Sequence, residues 1–391
     1  MPQGEPNQPP ETPLRVAASL ESVPDRILQT LITAFEGMDP SFIMLFVGGG
    51  PELSALSTLV AETYPDSLVV GCTTCGEIGP LGHTSGAASA LALTPAHASA
   101  CLIEGLDAFH FEDGKKIIQD LLWKAGLDWQ TFHARRNELL LLTLTDGLSG
   151  MEEILITSLA TYAPEVALIG GSAADNFRFE KTHVSVQGKT AARSAAVILL
   201  DPGMPFHVFQ AHHYEVAGDS VVVTAADPAR RLIHRIDGRP APVVLAELLE
   251  IPLATLLEDP VLAISRHQAI FGIGTREAPM LRSVMGLQGE ALLMGGAVEE
   301  GSILYPMRGG DLVSSSRDAV GLQVACVSDA QGILLFNCGG RLLEASSEGA
   351  VPELAQAMSP IPAAGFTTYG EQFGPMQLNH TLTGVVFGRP T

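Results

Sequence analysis

Two short segments with the same polar residues at the same spacing stand far apart in this chain. Residues 71–77 read GCTTCGE and residues 365–371 read GFTTYGE, so both follow the pattern G-x-T-T-x-G-E. Glycine permits unusual backbone angles and close backbone approach, threonine offers a hydroxyl, and glutamate offers a carboxylate. This combination favours a turn that binds a small polar ligand. The same residues also suit a tight bend whose hydroxyl groups only satisfy the backbone.

A third, more degenerate segment, GGSAADN at residues 170–176, occupies an equivalent place. All three follow short apolar runs, and loops at the carboxyl ends of strands are the usual ligand sites of open α/β sheets. Backbone NH groups and hydroxyls would hold a carboxylate, while Glu77 and Glu371 would hold an ammonium group, as in an amino acid. The candidate ligand contacts are Cys72, Thr73, Thr74, Gly76, Glu77, Asp146, Gly171, Ser172, Asp175, Asn176, Arg341, Thr367, Thr368, Tyr369, Gly370 and Glu371.

Several of these candidates have a second interpretation. Arg341 follows a Cys-Gly-Gly segment after an apolar run, where a guanidinium can clamp a carboxylate with two hydrogen bonds. A surface or interface salt bridge explains this arginine equally well. Asp146, Asp175 and Asn176 suit capping as much as ligand contact. His380 could also line the third turn.

The three turns belong to three similar units. Each unit has an apolar strand, a helix with apolar residues at helical spacing, a second strand that enters the turn, and a returning strand of small apolar residues. The first strands are expected at 42–47, 139–145 and 333–336, the helices from Pro51, from about 151 and around 351–358, and the returning strands at 87–93, 195–200 and 383–387. A strand–helix–strand step makes parallel neighbours with a right-handed crossover, and the return adds an antiparallel strand.

We therefore predict an α/β fold with mixed sheets, helices on their outer faces and internal repeats, in a layered αββα-like packing. The segment between the second and third units differs. It predicts strands at 221–224, 262–265, 269–273, 283–287 and 291–294 and a helix near 243–250. The expected divisions are a proline-rich disordered tail at 1–13, an N-terminal α/β domain at 14–228 and a C-terminal α/β domain at 229–391. We expect the ligand pocket between the two domains.

The two cysteines of the first turn, Cys72 and Cys75, form a C-x-x-C motif. Thiol–disulfide motifs of this spacing normally open a helix, whereas here a strand precedes and no helical pattern follows. Zinc needs four ligands, and His83 and Cys101 do not supply a matching second pair. We expect packed thiols, no metal, no cofactor and no catalytic constellation.

Composition excludes several classes of function. The formal net charge is −21 and no basic run is present, which argues against nucleic-acid partners and against anionic membranes. No run of about 18 apolar residues predicts a transmembrane helix. The polar, proline-rich start lacks the apolar core of a signal peptide. We expect a soluble, cytoplasmic protein.

Taken together and in order, the motifs resemble the FIST family, whose members carry paired FIST N and FIST C domains. The shared segments are GCTTCGEI, GGSAADN, IDGRPAP, LRSVMGL with VEEGS beyond it, and NCGGR followed by GFTTYGE, and they cover about 38–388. One departure is Cys75, where relatives usually have a small residue such as alanine. The C-x-x-C spacing is therefore peculiar to this chain.

The resemblance implies a sensory signal-transduction protein that binds small ligands, with amino acids as one candidate class. Relatives are often fused to output domains, whereas none is expected here, so the signal would pass to a separate signalling partner. Two other functions stay open. One is a thiol-dependent enzyme that uses Cys72, and the other is an acidic scaffold for protein partners.

Overall fold

The computed structural model describes residues 12–48 and 53–390. The predicted tail at 1–13 therefore lies mainly outside the described residues, as does the expected helix start at Pro51. The helices are α1 (Pro24–Ala34), α2 (Leu53–Thr63), α3 (Asp113–Lys124), α4 (Trp129–Ala134), α5 (Glu152–Tyr162), α6 (Ala241–Leu248), α7 (Leu253–Glu258), α8 (Pro260–His267), α9 (Leu312–Ala325), α10 (Gly339–Glu348) and α11 (Val351–Met358).

The strands fall into four sheets. In chain order they are β1 (Leu14–Ser19), β2 (Phe42–Gly48), β3 (Leu68–Thr74), β4 (Glu77–Gly79), β5 (Gly82–Thr84), β6 (Ala88–Leu93), β7 (His97–Glu104), β8 (Leu140–Asp146), β9 (Ala167–Ala173), β10 (Val184–Val186), β11 (Lys189–Ala191), β12 (Ser194–Asp201), β13 (Phe206–Ala211), β14 (Tyr214–Val216), β15 (Val221–Asp227), β16 (Leu232–Ile236), β17 (Arg239–Pro240), β18 (Ile270–Gly274), β19 (Pro279–Gln288), β20 (Ala291–Met294), β21 (Ile303–Gly309), β22 (Gly332–Cys338), β23 (Ala363–Thr368), β24 (Glu371–Phe373), β25 (Met376–Leu378) and β26 (Leu382–Phe387).

Three units share one order of elements: strand, helix, parallel strand, short hairpin and returning antiparallel strand. Unit 1 runs from β2 through α2 to β6, unit 2 from β8 through α5 to β12, and unit 3 from β22 through α10 and α11 to β26. The predicted α/β fold with mixed sheets and internal repeats is confirmed. Helix α10 is an addition that the sequence pattern did not indicate.

The hairpin of each unit leaves its own sheet and pairs with the next unit. Hairpin β4–β5 of unit 1 pairs with β23 of unit 3, hairpin β24–β25 of unit 3 pairs with β9 of unit 2, and hairpin β10–β11 of unit 2 pairs with β3 of unit 1. The exchange is cyclic, so the three units form a pseudo-three-fold arrangement. Three of the four sheets contain strands from both sides of residue 228, two of them through this exchange. The predicted domain boundary itself stays a prediction.

One glycine recurs because the second strand of each unit lies unusually close to the first. A Cβ built on Gly71, Gly170 or Gly365 would lie 2.6, 2.1 or 2.0 Å from the carbonyl oxygen of its paired residue in the neighbouring strand. No real side chain tolerates such a contact with backbone. The first glycine of the repeated motif is therefore required by the sheet.

A single core fills the space between the three sheets of the units. Phe46 and Cys72 of the first sheet, Leu142 of the second, and Phe336 and Phe366 of the third contribute to it. The helices pack on the outer faces, α1 and α2 on the first sheet, α3 to α5 on the second and α9 to α11 on the third. The predicted order of helix, sheet, sheet and helix holds for any pair of these sheets. The third sheet covers the remaining side of the shared core.

The fourth sheet, inserted between β13 and β22, closes on itself. Strand β21 pairs with β15 on one side and with β18 on the other, so β15, β16, β20, β19, β18 and β21 form a ring. Helices α6, α7 and α8 pack against the strands of this barrel around a separate apolar core.

One predicted strand is wrong. The apolar run 262–265 belongs to helix α8, because the Asp259 carboxylate accepts a hydrogen bond from the backbone NH of Leu262 and Pro260 occupies the first turn. Both features start helices. A short apolar run carries too little periodicity to separate the two structures.

A cluster of ion pairs joins the barrel to unit 2. Arg231 Nη2 lies 2.8 Å from Glu152 and 3.4 Å from Glu153, and Arg282 Nη2 lies 3.3 Å from Glu153. The backbone NH of Ala297 also donates to the Glu153 carboxylate. Moving the barrel away from α5 would break these pairs and leave uncompensated buried charges, which is strongly destabilising. The cluster therefore fixes the barrel relative to the start of α5.

Candidate functional site

The three turns predicted from the sequence meet at the carboxyl ends of β3, β9 and β23. Backbone hydrogen bonds of 2.8 to 3.1 Å link each turn to both others. They join Cys75 and Gly76 to Thr367, Ala174 to Thr73, Asn176 to Thr74, and Ser172 to Tyr369 and Gly370. The structure therefore brings the turns of both halves of the chain into direct contact.

In the first turn, the repeated residues bond to one another. Thr74 Oγ1 accepts from the NH of Gly76 at 3.2 Å and donates to Glu77 Oε1 at 2.5 Å. Glu77 Oε2 accepts from the NH of Ala87 at 3.1 Å, directly before the returning strand, and from the Thr84 hydroxyl at 3.3 Å. Gly76 has φ of +137°, which disfavours any other residue.

The third turn repeats this pattern residue for residue. Thr368 accepts from the NH of Gly370 at 3.1 Å and donates to the Glu371 carboxylate. Glu371 Oε2 accepts from the NH of Thr381 at 3.3 Å and from its hydroxyl at 2.6 Å. Thr381 precedes its returning strand as Ala87 does in unit 1. The motif G-x-T-T-x-G-E is thus fully accounted for by bonds within the fold.

Unit 2 reaches the same result with a different residue. Its hairpin begins with Val184, which has no carboxylate, and the acid comes instead from Asp146 at the end of β8. Asp146 accepts from the NH of Arg193 at 2.6 Å, before the returning strand, and from the NH of Leu148 at 2.8 Å. In unit 1, Gly48 takes the position of Asp146, and a Cβ there would lie 2.1 Å from Glu77 Oε1. Each unit therefore carries one buried carboxylate at this place.

Burial sets the protonation of the two buried glutamates. It raises the pKa of Glu77 to about 7, and the hydrogen bond from Thr74 offsets part of the effect. Burial likewise raises the pKa of Glu371 to about 7, against hydrogen bonds from Thr368 and Thr381 and the charge of Arg341. Both side chains are fully inaccessible to solvent.

The first hydroxyl of each turn bonds to the hairpin or loop that enters from another unit. Thr73 Oγ1 accepts from the NH of His183 at 3.0 Å, and Thr367 Oγ1 lies 3.1 Å from His83 Nε2. Ser172 Oγ accepts from the side-chain amide of Gln377 at 3.4 Å. These hydroxyls therefore fasten the exchanged segments. Gly171, next to Ser172, leaves room for Thr368 and the aromatic core.

An aromatic and acidic cluster covers the meeting point of the turns. Asp175 accepts from the Tyr369 hydroxyl and from three backbone NH groups, beginning with Phe179 at 2.9 Å. The ring of Phe179 stacks on Tyr369 at 4.6 Å between centroids. Left-handed backbone angles at Asn176, Phe177 and Phe179 mark a strained loop.

Three buried side-chain oxygens near the turns have no hydrogen-bond partner among the described residues: Asn176 Oδ1 and Thr182 Oγ1 in the strained loop, and Gln377 Oε1 in β25. Most other predicted contacts have a partner supplied by the fold. Ligand binding by the turn residues stays a prediction.

The thiols of the C-x-x-C segment are protected. Cys72 is fully buried and burial raises its pKa well above the ordinary value, while burial raises the pKa of Cys75 to about 11. Nucleophilic cysteines have the opposite shift. Within the described residues, no group of three or more His, Cys, Asp or Glu side chains could hold a metal ion.

We expect native protein to react with a thiol reagent at Cys326 alone on a short timescale, because it is exposed while the other four cysteines are buried. Replacing Cys326 with serine should remove the fast reaction. Quantifying the released chromophore before and after unfolding measures this. Rapid labelling of a second thiol would contradict the result, and loss of that label in Cys72→Ser would identify a reactive Cys72.

Arg341 lies in the first turn of α10 and is almost completely buried. It donates from Nε to Asn337 Oδ1 at 2.8 Å and from Nη2 to Ser316 Oγ at 2.6 Å, and its Nη1 lies 3.4 Å from His213 Nδ1. Burial lowers its pKa, and Glu371 opposes this shift. A ligand carboxylate at Arg341 would have to replace these internal partners.

Beside Arg341 lies a buried polar network that the sequence did not indicate. His213 Nε2 is 2.7 Å from Glu344 Oε1, and the Tyr214 hydroxyl donates to Glu344 Oε2 at 3.0 Å and lies 3.2 Å from His380 Nδ1. These residues come from β14 and its preceding loop, from α10, and from the loop before β26. Their sequence positions have no common spacing, so no pattern could group them.

A cavity of about 300 Å³ lies on the barrel, bounded by the carboxyl ends of α6 and α8 and by β18 and β21. It is not at the three turns. Leu245, Leu249, Ile270, Phe271 and Met307 form its apolar lining, and Glu250, His267 and Arg308 supply its charged or titratable groups.

The charged groups of the cavity have no ion-pair partner within the ranges that the structure describes. The ion pairs found there involve neither Glu250 nor Arg308, and both side chains are exposed. Glu250 follows α6, whose carboxyl end carries partial negative charge. A cationic group is therefore favoured on the Glu250 side and an anionic group at Arg308.

None of the helices in the described ranges is long and apolar enough to cross a membrane. A comparison with curated proteins gave no significant match. The family model for the FIST N domain matches residues 41–239, and that for the FIST C domain matches residues 241–374. FIST domains are associated with sensory signal transduction. The two matches are in tandem and span most of the sequence, and the chain belongs to the FIST family.

Proposed function

We propose that this protein senses a small zwitterionic molecule, with amino acids as the leading ligand class, and that the ligand binds in the cavity on the barrel. The observation that carries the proposal is a cavity of about 300 Å³ lined by apolar side chains together with Glu250 and Arg308, which carry charges of opposite sign. Ligand cavities begin at about this volume, so the ligand is a small metabolite.

The lining suggests how such a ligand would lie. Arg308 would bind a carboxylate through two parallel hydrogen bonds, a geometry that guanidinium and carboxylate groups share. Glu250 and the carboxyl end of α6 would face the ammonium group. Leu245, Leu249 and Phe271, which belong to the same apolar cluster, would pack against an apolar side chain, which gives preference over glycine-like ligands.

As a member of a family associated with sensory signal transduction, the protein would transmit its ligand state to a signalling partner. The charge of −21 favours a partner with a basic surface, because complementary charges speed encounter. The proposal includes no chemical step, and the thiols of the first turn are buried.

A thermal-shift screen against the common amino acids and a wider set of metabolites tests the proposal. A molecule that binds only the folded state stabilises it, by about 2.7 kcal/mol at one hundred times its Kd. We expect one apolar amino acid, or a close analogue, to raise the Tm. If no compound of the panel raises the Tm, the result would favour the acidic scaffold for protein partners instead.

Variants separate the cavity from the turns. Arg308→Gln should reduce the ligand-induced shift at a fixed ligand concentration, whereas Arg317→Gln, on the exposed face of α9, should leave it unchanged. Asn176→Ala tests the unpartnered side-chain oxygen at the turns. A shift that is unchanged in Arg308→Gln and lost in Asn176→Ala would place the ligand at the turns.

A further inference from the structure

The wall of the cavity touches the buried polar network. Gly309 lines the cavity and is paired with Tyr214 across β14 and β21. A Cβ built on it would lie 2.8 Å from Oε1 of Gln268, which also lines the cavity, and in ordinary contact with Tyr214 Cε1 at 3.5 Å and His213 Nε2 at 3.6 Å. The NH of Gly310 also donates to the carbonyl oxygen of His213 at 2.8 Å. A displacement of β21 at this point therefore reaches Tyr214 directly.

Tyr214 has one hydroxyl proton and two possible acceptors. Its oxygen lies 3.0 Å from Glu344 Oε2 and 3.2 Å from His380 Nδ1. Burial raises the pKa of Tyr214, and Glu344 adds to the effect. The Tyr214 hydroxyl therefore keeps its proton at neutral pH. The hydroxyl can donate to only one of the two groups at a time.

His380 can respond to either choice. Burial lowers its pKa to about 4, so the ring is neutral at physiological pH and carries its single proton on Nδ1 or on Nε2. When Tyr214 donates to Glu344, His380 donates from Nδ1 to the Tyr214 oxygen. When Tyr214 donates to His380 Nδ1, the His380 proton lies on Nε2. These are two discrete arrangements of the same atoms.

The far side of His380 adjoins the third turn. Its Nε2 would lie 2.4 Å from a Cβ built on Gly340, so the ring packs directly on the first turn of α10. The next residue, Thr381, holds the Glu371 carboxylate through its NH and hydroxyl. The ring thus lies between the barrel and the buried carboxylate of unit 3.

We infer that the hydrogen-bond pair of Tyr214 with Glu344 or His380 is a two-position switch that reports the state of the cavity to the third turn. The inference rests on the proposed function for its biological meaning, because the cavity is the input. Its physical content is independent of any ligand: altering the wall at Gly309 changes the tautomer of His380.

Nitrogen NMR of protein labelled at its histidines tests the switch, because the ring nitrogens of the two tautomers differ in chemical shift. The chain has eleven histidines, and loss of one signal set in His380→Gln assigns the relevant one. Gly309→Ala should change the tautomer ratio by about fivefold, the lower end of typical couplings between sites. Gly286→Ala is the control, since a Cβ there meets nothing within 4 Å.

A second readout follows the third turn itself. Tyr214→Phe removes the shared proton and should fix His380 in one tautomer and change amide exchange at Thr381. Tyr305→Phe, in β21 of the same barrel, should change neither. A His380 tautomer that ignores Gly309→Ala, or Thr381 exchange that ignores Tyr214→Phe, would overturn the inference.

These outcomes are independent of the ligand screen. If the protein binds no metabolite but Gly309→Ala changes the His380 tautomer, the switch is supported and the proposed function is overturned. If the protein binds an amino acid but the His380 tautomer ratio does not change in Gly309→Ala, the proposed function is supported and the switch is overturned.

Discussion

Replacing Arg341 with alanine is expected to lower the free energy of unfolding by about 3–5 kcal/mol, the usual cost of removing one member of a buried charged cluster. Arg341 is 1% exposed and donates to Asn337 and Ser316. Its positive charge also lowers the pKa of Glu371, so its loss removes a favourable interaction of that buried carboxylate. Truncation adds a cavity to the electrostatic cost.

Two further variants make this prediction specific. Arg341→Met keeps most of the volume and removes the charge, so it separates packing from electrostatics. Arg317→Ala removes an exposed arginine from the neighbouring helix and should change stability by less than about 0.5 kcal/mol. Urea unfolding measures all three. A loss below about 1 kcal/mol in Arg341→Ala would show that the internal bonds of Arg341 are not important for stability, leaving it free for a ligand.

The contribution of Glu77 and Glu371 to stability is expected to fall as pH rises from about 5 to about 8, because both have a pKa of about 7 in the folded protein against an ordinary 4.5. Below the ordinary pKa both states are protonated and the stabilisation is fully present. Between the two values the unfolded chain ionises while the folded protein keeps its protons. The contribution is therefore lost through about pH 7, by about 3 kcal/mol per group as an order of magnitude.

The double variant Glu77→Gln, Glu371→Gln mimics the protonated carboxyls and should not show this loss of stability with rising pH. Its stability should match that of the natural chain near pH 5 and exceed it near pH 8. Glu353→Gln, on the exposed part of α11, is the control. Parallel curves for the natural chain and the double variant would mean that neither carboxylate titrates in this range.

The units and their order were predictable because the strands are short apolar runs and the helices have apolar residues at helical spacing. Apolar runs that are followed by glycine within three residues gave β2, β8 and β22, and helical spacing gave α5 and α11. Gly71, Gly170 and Gly365 were visible as a repeat, but their reason lies in a carbonyl oxygen of another strand. The distance from a Cβ to that oxygen cannot be read from the sequence around the glycine.

The exchange of hairpins was not predictable for the same reason. The pairing of Glu77 with Phe366 joins residues whose partners could equally have come from their own unit. The closure of the barrel, the cavity and the network around Glu344 also depend on strands brought together by the fold. The repeated motif pointed correctly to three equivalent turns, and its buried carboxylates then proved to be bonded to the returning strands.

Isothermal titration of the best ligand from the thermal-shift screen, with the natural protein and three variants, tests the central claim most directly. Arg308→Gln and Glu250→Gln should each weaken binding by about tenfold or more, since a hydrogen bond to a charged group contributes about 1.5–3 kcal/mol. Arg317→Gln should bind with unchanged affinity. Equal affinities for all four proteins would contradict a zwitterion site in the cavity on the barrel.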